Sequence, residues 1–291
     1  MKTGKVLIDM DRKRIFPLAA GGIALGAVVP AVVCRITSLL THFDKQIEYF
    51  DTSLPSVLHT VLCFAAVILP VICMCCTPKD TLTVPLPSDS RDLTALLPLA
   101  GFTFFAVMCA GNLSLFSDMK LRPEGSPNAV STAVVILIIC AVGGIAYAFG
   151  SLAGMKNRTG LAAIGFLPII WGIVLVAASY LDQYTAMNSP LKIGLQFGTL
   201  SVMLALTAEL RCLLDKAAPR AYVVLTGIAA FFCLDNGISY TVAAAVNAVK
   251  DRPLYLYTSV LHITLGLYFA IRLVRCLLPY LHRKEETDPC A

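Results

Sequence analysis

Only 14% of the 291 residues are charged, 57% are hydrophobic, and mean hydropathy is +0.78. A soluble globular domain of this length does not carry that balance, which leaves an integral membrane protein. The net charge of +5 fits loops that face an anionic leaflet and calls for no nucleic-acid partner.

A helix crosses the hydrocarbon core in about 20 residues. The sequence predicts about eight such segments: Ile15–Leu40, Leu54–Cys76, Leu93–Phe116, Asn128–Gly150, Leu161–Tyr180, Pro190–Leu214, Ala221–Val249 and Pro253–Leu281. The first, seventh and eighth exceed the core, so they tilt or extend into the interface. The runs are continuously apolar rather than alternating, and backbone groups in lipid must bond internally, so helices are the solution. The expectation is an all-α polytopic transmembrane bundle forming one integral membrane domain over residues 1–291, with the lipid bilayer as its first partner.

Positive charge sets the expected sidedness. With the N-terminus inside, the inner segments hold most of the 23 Lys and Arg, including Arg12, Lys13, Arg14, Arg211, Arg272 and Arg275. The outer ones hold Arg35, Lys45, Lys120, Arg122, Lys192, Lys250 and Arg252. Both termini are then cytoplasmic, in a multi-pass protein of the cell membrane, of bacterial cytoplasmic type. Tyr49, Phe50, Tyr180, Tyr184, Tyr255 and Tyr257 fall at expected outer ends, where amphipathic rings prefer to sit. The first segment is too long for a signal-peptide core and reads as a signal anchor.

The longest loop, Thr77–Asp92 with Pro85 and Pro87, and the tail Arg283–Ala291 are too short to fold alone. No GxxxxGK[ST] phosphate loop occurs. No Gly-x-Ser-Gly serine, no facing pair of intramembrane aspartates and no His-Glu-x-x-His motif marks an enzyme. No catalytic residue, cofactor or metal site is assigned. The cluster Cys73-Met74-Cys75-Cys76 reads as packing at a helix end, against a soft-metal or lipidated alternative. The sequons at Asn112 and Asn157 are expected to stay unused, one near lipid and one inside.

The seventh segment carries the sharpest clue. Asp235 lies near its middle, where an aspartate costs about 2.5–3.5 kcal/mol. Asn236, Ser239 and Tyr240 follow on what reads as one polar face, with Gly237 beside them. A tight turn around Asp251-Arg-Pro253 makes the eighth segment an antiparallel neighbour, so His262 and Arg272 become the expected partners of Asp235. One reading is a titratable centre that binds a small solute, cation or proton, with His262 as relay. The other is a buried Asp235–Arg272 pair that fixes helix packing. In the sixth segment Gln196, Thr199, Met203 and Thr207 share a face, and Glu209 beside Arg211 is either an inner mouth or a carboxylate at headgroup level. Gly22-x-x-x-Gly26 and Gly150-x-x-x-Gly154 permit close helix contact, and Pro30, Pro70 and Pro168 lie inside segments.

The stretch Cys34-Arg-Ile…Phe43-Asp44 followed by Tyr49-Phe-Asp51 resembles uncharacterised polytopic membrane proteins of Firmicutes. That resemblance implies the fold and no activity. Leu195-Gln-Phe-Gly-Thr-Leu…Leu210 resembles the membrane part of bacterial seven-transmembrane signalling receptors, though this chain shows neither their ectodomain nor their output domain. Two functional expectations follow. One is small-solute or ion transport, or a membrane subunit of a transporter, built around Asp235. The alternative is a non-catalytic sensory or scaffolding protein acting through partner proteins, either other membrane subunits or further copies of itself.

Overall fold

The computed structural model describes residues 15–77, 92–117, 119–120, 124–250 and 252–282. The N-terminal Lys/Arg cluster, the loop with Pro85 and Pro87, Asp251 of the tight turn and the tail from Arg283 lie outside them. Among the described residues eight helices are long and apolar enough to cross a membrane: α1 Ile15–Thr41, α2 Leu54–Cys76, α3 Leu96–Gly111 with the 3-10 turn Leu93–Ala95 that leads into it, α4 Pro127–Leu152, α5 Arg158–Leu181, α6 Pro190–Leu213, α7 Pro219–Ala245 and α8 Pro253–His282. The third expected segment ends early, because Asn112 closes α3 and a separate short helix, Leu113–Ser117, follows. The Asn112 side-chain amide turns back onto the Met108 carbonyl at 2.8 Å, which also accepts the Asn112 backbone N–H.

The boundaries follow local chemistry. Pro opens α4, α6, α7 and α8, a position where its missing N–H costs nothing. Ser53 and Ser56 form a reciprocal capping box at the start of α2. The Asn157 side chain accepts from Gly160 N at 2.9 Å, so this sequon asparagine is a helix cap. In α1 the regular pattern is interrupted at Ala27, and Pro30 explains it: proline gives no N–H to the carbonyl four residues back.

Helices α3 to α8 close a ring. Each packs on its chain neighbours, and α8 returns against α3. The ring interior is filled by one apolar cluster drawn from all six helices, including Phe102, Phe105, Leu137, Trp171, Val202, Ala230 and Leu265. Trp171 is met edge-on by Phe102 and Phe105 at 5.8 and 5.5 Å. Helices α1 and α2 stand outside the ring as a pair against α7. Helix α2 is the most lipid-facing: only Ala66, Pro70 and Met74 along it are buried.

Between α1 and α2 a short antiparallel hairpin pairs Phe43 with Phe50 and Asp44 with Tyr49. It marks one end of the bundle, called the hairpin end below; the opposite end, where α1 starts and α8 finishes, is the termini end. Glu48 on the hairpin is 2% exposed and accepts from Arg252 at 2.7 Å, which ties the hairpin to the start of α8.

The small-residue contacts differ from the expected ones. Space around Gly22 and Gly26 is open, whereas a Cβ on their neighbour Gly21 would strike Leu277 of α8. Gly237 is the tightest against backbone: a Cβ there would lie 2.7 Å from the Ser259 carbonyl and 2.9 Å from Ile263 N. Gly237→Ala is therefore expected to push α7 and α8 apart and cost about 1–3 kcal/mol. Gly22→Ala is expected to stay within about 0.5 kcal/mol of wild type. Thermal unfolding of the two variants in detergent checks both.

Candidate functional site

Asp235 is fully buried where α7 meets α1 and α2. Its Oδ2 accepts from Arg35 Nη1 of α1 at 2.8 Å and lies 3.0 Å from His59 Nε2 of α2. Arg35 is itself 4% exposed, and its second amine donates to the Pro190 carbonyl at 3.0 Å and to Asn236 Oδ1 at 3.3 Å. Gly194 makes room for this guanidinium, since a Cβ there would strike Arg35 Nη2. Asn236 Nδ2 reaches His262 Nδ1 at 3.2 Å, and His262 Nε2 lies 3.3 Å from the Thr199 hydroxyl. A chain of polar contacts thus runs from α2 through α7, α1 and α8 to α6.

The expected partner of Asp235 is corrected. Arg272 does not reach it: Arg272 Nη1 donates to Asp92 Oδ2 at 3.0 Å and its Nε to the Tyr222 hydroxyl at 3.2 Å. The reason is height. Helix α7 ends at Ala245 rather than Val249, so Asp235 lies ten residues, ~15 Å at helical rise, from the hairpin end. Arg272 lies nineteen residues, ~28 Å, from the same end of α8. His262 is level with Asp235 but is linked to it only through Asn236 and Arg35.

Asn236 joins the centre, while Ser239 is buried without a hydrogen-bond partner among the described residues. Tyr240 turns toward Tyr255 of α8, ring centroids 6.1 Å apart. The expected single polar face of α7 is therefore split among neighbours, because α7 is wedged against α1, α2, α6 and α8.

Glu209 is fully buried, accepting from the Tyr268 hydroxyl at 2.5 Å with Arg272 Nη2 at 3.6 Å. Asp92, at the start of the third segment, completes this cluster at the termini end: Oδ1 accepts from Thr94 and from Arg275 Nη1, the latter at 2.6 Å. Burial works against the Asp92 charge, but the Thr94 hydrogen bonds and the Arg272 and Arg275 guanidiniums outweigh it and hold the carboxyl below its ordinary value.

Two cavities adjoin these networks. One, about 580 Å³, opens between α2 and α6 near the hairpin. Phe64, Val67, Phe197 and Phe232 wall it, and Arg35, His59 and Cys63 line its polar side. The other, about 670 Å³, is a vestibule at the hairpin end of the ring, walled by α4, α5, α6 and the start of α8. Its walls are apolar, with Leu175, Ala178, Leu195 and Leu254, and three cations, Lys120, Lys250 and Arg252, face one carboxylate, Asp182. Glu48 behind them takes part of that charge. Below the vestibule, Ser179 bonds Gln196 at 3.2 Å.

Sequence reasoning missed Arg35, His59, Cys63 and Asp92. A charge inside the first apolar segment was the signal for Arg35. His59 and Cys63 stand four apart on α2, hence on one face, but their third neighbour is 176 residues away.

No protein-family model, no curated protein and no solved structure matches this chain.

Removing one member of a buried pair strands the other charge. Asp235→Asn is expected to cost about 3–5 kcal/mol, whereas the double change Arg35→Met with Asp235→Leu recovers most of that loss. Thermal unfolding of both variants and of the two single changes completes the cycle. For Asp92 the sign runs with ionisation: its contribution is complete above the ordinary value of 3.8 and lost as pH falls through the lower folded value. Wild type is thus expected to lose thermal stability only below about pH 4 from this group, and Asp92→Asn to start lower at pH 6 with a flatter acid limb, read by melting curves across pH 3–7.

Proposed function

We propose that this multi-pass membrane protein carries a small solute with an apolar body and an anionic group, taken up through the vestibule into the six-helix ring. The observation that carries this reading is the vestibule itself, about 670 Å³ with apolar walls and an excess of cations at its rim. A low-dielectric cleft with a net excess of one sign of charge concentrates counter-ions. An amphiphilic anion satisfies both parts of the lining, the hydrocarbon against Leu175, Leu195 and Leu254 and the charge against Lys120, Lys250 and Arg252.

Buried polar groups inside the ring support a path. From the hairpin end they run through Ser179 and Gln196, then Thr199, His262 and Asn236, and reach Tyr268, Glu209 and Arg272 near the termini end. Phe102, Trp171, Val202 and Leu265 close the ring between the last two levels. Polar groups at membrane depth are costly and are kept facing a bundle interior or a water-filled route. In this reading the bundle is closed at its middle and open toward the hairpin end, and the N-in, C-in orientation makes that end extracellular. Asp235 then acts as the tie that holds α1 and α2 on the ring rather than as the solute site.

Thiol chemistry tests the route. Ser179→Cys places a thiol at the vestibule floor and Val202→Cys one in the closed core, each read by site-resolved mass spectrometry in sealed vesicles. An anionic, impermeant thiosulfonate is expected to modify the floor thiol about tenfold or more faster than its cationic counterpart. Equal or reversed rates overturn the anion reading. The core thiol is expected to react slowly as the ring opens. If it stays inert while the unfolded chain reacts normally, the bundle is sealed and a sensory or scaffolding role through partner proteins takes precedence.

A further inference from the structure

The second cavity holds a different chemistry. His59 and Cys63 stand four residues apart on α2, so both point from one face toward α7. His59 Nε2 lies 3.6 Å from Cys63 Sγ and 3.0 Å from Asp235 Oδ2. The three donor atoms all lie within 4.8 Å of one another. A tetrahedral ion with metal–nitrogen bonds of ~2.0 Å and metal–sulfur bonds of ~2.3 Å needs an N···S edge of ~3.5 Å. The observed edge matches that without rearrangement.

We propose that His59, Cys63 and Asp235 form a three-ligand site for a borderline-soft divalent metal ion of the zinc kind. Imidazole and thiolate together select such ions over magnesium or calcium, which want oxygen. The third ligand is poised for it. Asp235 Oδ1 is buried and has no hydrogen-bond partner among the described residues, while both neighbours crowd Oδ2. The cavity of about 580 Å³ bordered by His59, Cys63 and Arg35 leaves a fourth position for water or a solute.

Arg35 sets the terms of binding. Its guanidinium holds Oδ2 and is held in turn by Asn236 and the Pro190 carbonyl, an outer-shell anchor that orients the carboxylate. The charge balance is definite. Carboxylate and thiolate offset the two charges of the ion, and Arg35 leaves the loaded site at +1. Binding releases the Cys63 thiol proton to solvent, and Nε2 of His59 gives up its hydrogen bond to Oδ2 and coordinates through its lone pair, with the ring proton on Nδ1. The ion would join α2, the helix with the least buried surface, to the central α7.

Cobalt(II) is the probe, because thiolate ligation gives it a strong near-ultraviolet charge-transfer band. The metal-stripped full chain, purified in detergent, is titrated with cobalt(II) and then with zinc. One equivalent is expected to raise the band, zinc to abolish it, and Cys63→Ser to remove it. His59→Asn is expected to weaken binding by tenfold or more. A variant with Cys73, Cys75 and Cys76 all changed to serine is the control and is expected to bind as wild type, since these three lie at the other end of α2. A band that persists in Cys63→Ser, or vanishes in the triple-serine control, overturns the assignment, as does a wild type that shows no band. The protein's thermal melting without metal, equal in wild type and Cys63→Ser, shows that loss of binding is not loss of fold; if the variant melts early, His59→Asn and zinc competition decide the outcome.

Discussion

A charge inside hydrocarbon must be neutralised within a few ångströms, and this fold is arranged around that requirement. Its charges pair in clusters at distinct heights along the bundle, some at helix ends and one within the spans. At the hairpin end Arg252 bridges Glu48 and Asp182. Deeper lies Asp235 with Arg35 and His59. Toward the termini end Arg272 sits among Asp92, Glu209 and Tyr222. Each cluster joins elements far apart in the chain, so each also decides which helices are neighbours. The Asp235 cluster matters most, because α1 and α2 stand outside the ring and α2 has little apolar surface buried against anything. In lipid no hydrophobic drive pushes a helix onto its neighbours. An ion pair at the three-helix junction supplies the orientation that packing alone leaves loose.

The spans were legible in the sequence because hydropathy is a local property, and eight apolar runs need no knowledge of partners. Helix ends were less so: whether α7 stops at Ala245 or Val249 moves Asp235 by about one turn, ~6 Å, and that shift takes Arg272 out of its reach. Pairing itself was not legible. Arg35 stands in an apolar segment, and a charge there announces that a partner exists without naming it. Asp235 is 200 residues away. Glycines show the same limit. The spacing Gly22-x-x-x-Gly26 is real, but the contact falls on Gly21, since which face of α1 meets α8 is set by the tertiary arrangement. The hairpin was invisible for another reason: two-residue strands have no period to detect.

Two carboxylates in this bundle separate packing from chemistry. Asp92 uses both oxygens: Oδ1 accepts from Thr94 and Arg275, and Oδ2 accepts from Arg272. Nothing is left over, as expected of a group whose work is to hold α8 against the start of the third segment. Asp235 is different. Two donors share Oδ2, and Oδ1 is buried with none. An unsatisfied carboxylate oxygen in low dielectric costs at least about 1–3 kcal/mol, and α7 offers Asn236 and Ser239 within a turn as donors that a pure packing device would recruit. Asn236 instead spends its amide on His262. The carboxylate lies beside an imidazole and a thiol, and both of those line a cavity. A site built only to pin three helices would be closed like Asp92; this one is closed on one oxygen and open on the other, the form a ligand-binding carboxylate takes when a guanidinium fixes its far side.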